Sequence, residues 1–374
     1  MKVLEINKDN LRHNVNLIKD KIEKKSPNTK IYAVVKANGV GLGLVEFTKF
    51  LLENGINSFA VATFKECLKL REAKITNEIL MLTPVIEKKE LQLLIQNDIT
   101  LTIGSLEEIK TLKQTINELK ETTKSNLKKV KVHIKIDTGF GRYGFLYSDL
   151  VGILSAFKII DENIEIEGIY THFSNPIDEK WTRIQYNRFC EIIQFLKNNR
   201  YEPKIMHCSS STAFMKYDDM NLNAVRLGSV FQGRTLVKNT GLIKIGKFKT
   251  SITEIKTVPK GYNISYRNTY KTKKETKIAI IPVGYMDGLN KSAKRDDFSF
   301  FNNIISVLIE FKKIFKDNRL ETIINRKKYK IIGRLGMYHS IIDITDSDDI
   351  KVGDTVVLDM TPLQTNEEIR REYI

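Results

Sequence analysis

Five side chains that bind anions or move protons stand where short apolar runs end: Lys36, Arg142, His172, His207 and Arg226. Lys36 closes the run Ile31–Val35 and is followed by Ala-Asn-Gly. A lysine there has two readings: its stem reaches past the strand into solvent, or its amine is held in the protein, paired or reactive. Arg142 follows a loop flanked by Gly139, Gly141 and Gly144. Bare backbone of that kind lets a guanidinium approach a carboxylate or phenolate, although an arginine on a surface loop has the same local sequence. Histidines at strand ends are general acids and bases in some proteins and satisfied core groups in others, so His172 and His207 stay open on local grounds.

The elements that must position these groups follow from periodicity. Short β-rich runs at Ile31–Val35, Phe59–Ala62, Ile79–Leu82, Ile99–Ile103, Val130–Ile136, Ile164–Tyr170, Lys204–Cys208 and Ala224–Leu227 alternate with helical patterns such as Phe64–Ala73, Leu106–Leu119 and Arg183–Asn198. Eight such units predict an α/β fold, a (β/α)8 TIM-like barrel, whose functional groups gather at the C-terminal strand ends. An open doubly wound sheet is the alternative, but it would more often show six strands than eight. After about Gly233 the pattern becomes short and β-like, at Lys247–Val258, Lys277–Pro282, Tyr329–Ile332, Ser340–Ile344 and Thr355–Leu358. The expected organisation is a barrel over residues 1–233, with residues 1–10 able to pair with the second domain, and a mainly β domain over 234–374. A mixed apolar and basic pattern at about 296–324 is expected to be an insertion in the latter.

Composition narrows the function classes. The 374 residues are 41% hydrophobic and 28% charged, which is globular and sufficient for about two cores. No apolar run approaches the ~20 residues of a membrane span, and Met1–Asn10 carries no signal-like apolar segment, so a cytoplasmic protein without a membrane partner is expected. Cys67, Cys190 and Cys208 form no paired motif, which argues against disulfides and zinc. The net charge of +16 invites a nucleic-acid reading, yet the lysines are spread along the chain. The dense stretch Lys120–Lys131 has no interleaved aromatics, so no nucleic-acid partner is expected. A positive field equally suits a small anionic substrate or a cofactor phosphate.

Longer words then add to the single residues. The run Ala33-Val34-Val35-Lys36-Ala37-Asn38-Gly39 resembles the signature of the alanine racemase family around the lysine that carries pyridoxal phosphate. Lys135-Ile136-Asp137-Thr138-Gly139-Phe140-Gly141-Arg142, Gly168-Ile169-Tyr170-Thr171-His172-Phe173, Val225-Arg226-Leu227-Gly228, Val283-Gly284-Tyr285-Met286-Asp287-Gly288 and Gly333-Arg334-Leu335-Gly336-Met337 are similar to further motifs of that family, in its order. The resemblance implies racemisation of a small amino acid by two bases, alanine first and serine or another as alternatives. Lys36 would hold the cofactor and serve one face of the substrate, and Tyr266 the other, from the second subunit of a homodimer with shared active sites. It further implies that His207 hydrogen-bonds Tyr266 and is held by Arg226, which faces the pyridine nitrogen, and that His172 supports the ring. Arg142 would meet the cofactor phenolate or substrate carboxylate, positioned by Lys135, a lysine often carbamylated in the family. Ser211, Gly228 and Ser229 would take the phosphate, Met337 would bind substrate carboxylate through its amide, and Tyr285 would line the entrance.

The chain departs from the family at Val40 and Leu42, at Ser210-Ser211-Thr212, at Tyr338-His339, and in ending soon after Leu358. These changes touch the phosphate site and the substrate wall, and imply a pocket less tightly fitted to alanine. Two other cofactor-binding readings accompany the racemase. A decarboxylase of the same barrel class typically uses a cysteine in the β domain, and none follows Cys208. A non-catalytic carrier of pyridoxal phosphate would have no β domain.

Overall fold

The computed structural model of the chain describes residues 1–123, 127–291, 300–314 and 319–374. They form two compact units, one of Lys8–Ile245 and one of Met1–Asn7 with Gly246–Ile374.

The first unit is a ring of eight parallel strands: Lys30–Val34, Ser58–Val61, Glu78–Met81, Leu101–Ile103, Val130–Asp137, Ile164–Tyr170, Ile205–Ser210 and Ala224–Leu227. Each pairs with its neighbour in sequence, and the eighth returns to the first with Val225 opposite Ile31 and Arg226 opposite Tyr32. The seam between the third and fourth strands is a single bridge, Leu80 to Thr100, where the Met81 N–H donates to the Thr100 carbonyl (2.8 Å) and the Thr100 N–H to that of Ile79 (2.9 Å). That closure rules out the open doubly wound sheet. The strands are buried almost throughout, Ser58–Val61 completely, because helices cover the outside while side chains fill the ring. Helix starts are marked in the sequence: Thr63 and Glu66 form a reciprocal cap for Phe64–Glu72, and Asp178 caps Glu179–Asn198 by accepting from the Trp181 N–H.

The interior of this ring is unusual in what it holds. Tyr32, Ala60, Leu80 and Ala224 form an apolar cluster. Beside it His133 and His207 are fully buried, and Arg226 is 4% exposed. Buried cations and imidazoles need partners to offset their lost hydration, and the partners found here define the site below.

The second unit is built on a nine-stranded sheet. Lys2–Ile6 lies inside it, antiparallel to Gly246–Ser251 and parallel to Arg370–Tyr373. Of the expected insertion at 296–324, residues 296–299 and 315–318 lie outside the described residues; Phe300–Ile314 is a helix, and Glu321–Ile324 is a sheet strand paired with Lys327–Ile332. Residues 124–126 of the lysine-dense stretch also lie outside. No described helix is long and apolar enough to cross a membrane.

Candidate active site

Lys36 leaves the first barrel strand into a left-handed turn: Ala37, Asn38, Gly39 and Val40 all have φ between 49° and 66°. L-residues avoid this region, at a cost on the order of 1 kcal/mol each, so the surroundings must impose it. They do. Glu66 accepts from the Ala37 N–H (2.6 Å), Asn38 Oδ1 accepts from the Leu44 N–H (3.0 Å), and a Cβ at Gly39 would come within 3.2 Å of Leu44 main-chain atoms. The turn aims Lys36 into a cavity of about 340 Å³. Crowding by protein atoms, then the charge of Arg142, lowers the Lys36 ammonium pKa; Glu66 opposes this. Glu66 was not singled out from the sequence. Its signal was the capping pattern after Thr63, and nothing local linked it to Lys36.

Arg142 is presented by a loop organised around Asp137. One carboxylate oxygen accepts from the Gly139 and Phe140 N–H groups (2.9 and 2.8 Å), the other from those of Gly141 and Arg142 (2.9 and 3.0 Å). Burial alone would raise the Asp137 pKa, but these four amides outweigh it and hold the carboxyl below its ordinary range. The Arg142 guanidinium lies 4.2 Å from the Phe140 ring centre. Lys135, on the fifth strand, lies over the rings of Tyr143 and Tyr170. Burial, followed by the charges of Arg142 and Arg226, pushes its pKa down to about 8.

Arg226, on the eighth strand, donates through Nη1 to His207 Nδ1 (2.6 Å) and through Nη2 to the Thr171 carbonyl (2.7 Å) and His172 Nδ1 (3.0 Å). Because a guanidinium only donates, both Nδ1 atoms must be unprotonated. Burial and the arginine charge hold both histidines well below their ordinary pKa, hence neutral, with their protons on Nε2. His172 lines the cavity. The role expected for His207 is corrected in one respect. Its Nε2 is bonded to His133 Nδ1 (2.9 Å), so both ring nitrogens are taken inside the barrel and none is left for Tyr266. His207 lies beneath the cavity and is not part of its wall.

Among the described residues the cavity wall carries Lys36, Lys135, Arg142 and Arg226 and no carboxylate. Four cationic groups without a lining anion suit a ligand bearing several negative charges. Ser210, Ser211, Thr212, Gly228 and Ser229 form another part of the wall. Here the Gly228 N–H donates to Ser211 Oγ (2.9 Å), which ties the two segments together.

The other expected residues gather within the second unit. Tyr266 sits on a short turn between residues of positive φ, Ser265 and Arg267, and is 65% exposed. Ser265 Oγ donates to the Arg334 carbonyl (2.6 Å), which docks the Tyr266 turn on the loop leading to Met337. Tyr285 joins the same cluster through its N–H, which donates to the Gly336 carbonyl (3.1 Å). Gly284 permits this approach, because a Cβ there would lie 2.2 Å from the Gly336 oxygen. Tyr266, Tyr285 and Met337, far apart in sequence, thus share one loop cluster, together with Tyr338, over whose ring Lys2 Nζ lies at 5.4 Å.

With this geometry in place, comparison with known proteins is direct. The family model "Alanine racemase, N-terminal domain" matches residues 6–235 and "Alanine racemase, C-terminal domain" matches 245–372. The alanine racemase of Methanococcus maripaludis is 34% identical over 341 residues, covering 89% of this chain and 83% of that one. Alanine racemase 2 of Caldanaerobacter subterraneus is 34% identical, covering 95% and 84%. The solved alanine racemase of Clostridium difficile 630 has a TM-score of 0.84 at 29% identity, covering all of this chain and 95% of that one. Such a fold and such relatives define an amino-acid racemase, an isomerase. The chain belongs to the alanine racemase family. Neither the decarboxylase nor the non-catalytic carrier is favoured, and the match over 245–372 is to a domain the carrier would not have.

Proposed function

We propose that the protein interconverts L- and D-alanine using pyridoxal phosphate held by Lys36, with Lys36 and Tyr266 as the two bases. The observation that carries the reading is the cationic cavity: a lysine of lowered pKa among three further cations, with no carboxylate in the wall. Pyridoxal phosphate, when bound, supplies an electron-withdrawing ring that acidifies the Cα proton of an attached amino acid. Arg226 would face the ring nitrogen, and its permanent charge keeps that nitrogen unprotonated, which limits side reactions. Arg142 would hold the phenolate or the substrate carboxylate, the His172 Nε2–H would support the ring, and Ser211, Gly228 and Ser229 would hold the phosphate. The Lys36 amine moves a proton at Cα on one face and the Tyr266 hydroxyl on the other. Tyr266 would come from the partner subunit of a homodimer, with the Met337 amide on substrate carboxylate and Tyr285 at the entrance. A cytoplasmic location goes with this reading.

The test is a chiral assay of the cofactor-loaded protein with a panel of L-amino acids in heavy water. D-alanine carrying deuterium at Cα is expected, and alanine recovered undeuterated and wholly L would overturn the reading. The same assay reads the substrate wall. With Tyr338 in place of the family residue, the kcat/KM ratio of alanine over serine is expected at about tenfold or less, the low end of the ~1–3 kcal/mol that one hydroxyl is worth in such a pocket. A ratio above about a hundredfold would show a pocket closed by other residues.

Lys135 gives a separate expectation. An amine with a pKa of about 8 is partly free base at neutral pH and can add carbon dioxide, losing a proton to form a carbamate. That anion would stand beside Arg142 in a wall that otherwise has none. Equilibration with 13C-bicarbonate should give a slowly exchanging carbamate carbon signal that is missing in Lys135→Ala. An unchanged spectrum in that variant would remove Lys135 from this role.

A further inference from the structure

Beneath the cavity the barrel interior holds a second set of titratable groups, Glu167, His133 and Glu78, that the reaction does not use. The ligand atoms of these three lie within 4.8 Å of one another, an arrangement that could suggest a metal site. Hydrogen-bond direction argues otherwise. Arg226 Nη1 can only donate, so His207 Nδ1 accepts and the His207 proton sits on Nε2. That Nε2–H must donate to His133 Nδ1, 2.9 Å away, so the proton of neutral His133 sits on its own Nε2. His133 Nε2 faces Glu167 Oε2 at 3.5 Å, and among the described residues neither of these buried atoms has a closer hydrogen-bond partner. A proton therefore occupies the position a metal would need. The carboxylates are already matched with cations, since Lys131 donates to Glu167 Oε1 (2.7 Å) and Lys30 pairs with Glu78.

The chain Arg226–His207–His133–Glu167 thus has one polarity throughout, ending on a carboxylate. The surrounding structure maintains it. His207 lies between the rings of Tyr170 (4.7 Å between centres, 11° between planes) and Tyr32 (5.5 Å, 26°), so the imidazole cannot tilt. Gly168 leaves room for His133: a Cβ there would lie 2.8 Å from His133 Cε1. The other partners of Arg226 are main-chain carbonyls and His172, none of them a carboxylate. Burial keeps both relay histidines neutral, which the single polarity requires.

We propose that Glu167 and His133 are positioning residues for the racemase site, fixing the tautomer of His207 so that it accepts from Arg226 and holds the guanidinium against the cofactor. The functional half rests on the reaction proposed above; the tautomer half does not. Were the His133 proton on Nδ1, His207 would have to carry its own on Nδ1, facing Arg226, and the Nη1 bond would be lost. Glu167 prevents this by facing His133 Nε2 with a carboxylate, an acceptor that matches a proton there.

The experiment uses cofactor-loaded protein labelled with 15N in the histidine rings. His207 and His133 should both show a pyridine-like Nδ1 and a protonated Nε2; a protonated Nδ1 on either would overturn the relay, whether or not any variant folds. Glu167→Gln keeps an acceptor and should preserve both tautomers, the visible cofactor band and kcat within about twofold. Glu167→Leu, of similar size, removes the acceptor. It should shift the band and lower kcat about tenfold while KM changes by less than about twofold, the scale set by outer-shell partners of other sites. If Gln and Leu behave alike, the glutamate fills space only and the proposal fails. If the unaltered protein shows the expected tautomers but neither binds pyridoxal phosphate nor racemises alanine, the proposed reaction fails and the relay loses its positioning role, while its polarity stands.

Discussion

Lys36→Ala should lose the pyridoxyl label that borohydride fixes in the unaltered protein, and its kcat should fall by at least about a thousandfold. Two effects combine in that substitution. The covalent attachment point disappears, and so does the base for one face of Cα. The turn Ala37–Val40 is held by Glu66, by the Asn38 side chain and by packing at Gly39, none of which involves the Lys36 side chain. The variant should therefore fold, with an unfolding midpoint close to that of the parent. Peptide mapping after reduction is the check. A pyridoxyl group still found on any lysine in stoichiometric yield would show that Lys36 is not the attachment point.

Tyr266→Phe should lower racemisation by ~10²–10⁴-fold, the usual worth of one positioned acid–base group, with little change in KM. A two-base mechanism makes a sharper demand. Exchange of the Cα proton should persist from one enantiomer, served by Lys36, while inversion fails. If the site is shared across a dimer, Lys36→Ala and Tyr266→Phe subunits should complement each other. In an equal random mixture half of the dimers are mixed, and each keeps one intact site of two, so about a quarter of the parental activity should return. No recovery, with subunit exchange followed independently by mass, would put both bases of each site on one chain. Tyr266 is suited to such a role by its exposure and by the positive-φ turn that the Arg334 carbonyl holds in place.

Much of the barrel was legible because its determinants are local. Eight short β-rich runs, most of them followed by a helical period, leave few closed topologies, and handedness and adjacency rules remove most of them. Lys36, Arg142, His172 and Arg226 close those runs or lie in the loops just after them, so barrel geometry was enough to predict them near one rim. The amino-terminal strand was legible only in outline: residues 1–10 were expected to be able to pair with the second domain, and Lys2–Ile6 does, but its particular partners were not legible. Lys2–Ile6 has strand composition, but its partners are Gly246–Ser251 and Arg370–Tyr373, and no local signal reports pairing across such a separation. The strand Glu321–Ile324 was masked by the apolar and basic pattern of the segment before it.

His207 shows most clearly where sequence reasoning stopped. Its place at the end of the seventh run left it open between a satisfied core group and an acid–base group, and only the family resemblance assigned it to Tyr266. The structure turns it inward between Tyr32 and Tyr170, with Arg226 on one nitrogen and His133 on the other. By itself the sequence determined which elements form, the order in which they join and which chemical groups stand at their ends, because propensity and periodicity act over a few residues. Tertiary structure decided which of those groups share a proton, which face the cavity and which lie beneath it. Hydrogen-bond direction, burial and charge depend on distances between strands that meet only when the ring closes. Each donor in the chain from Arg226 to Glu167 constrains the next acceptor, so no residue of it could be assigned a tautomer alone.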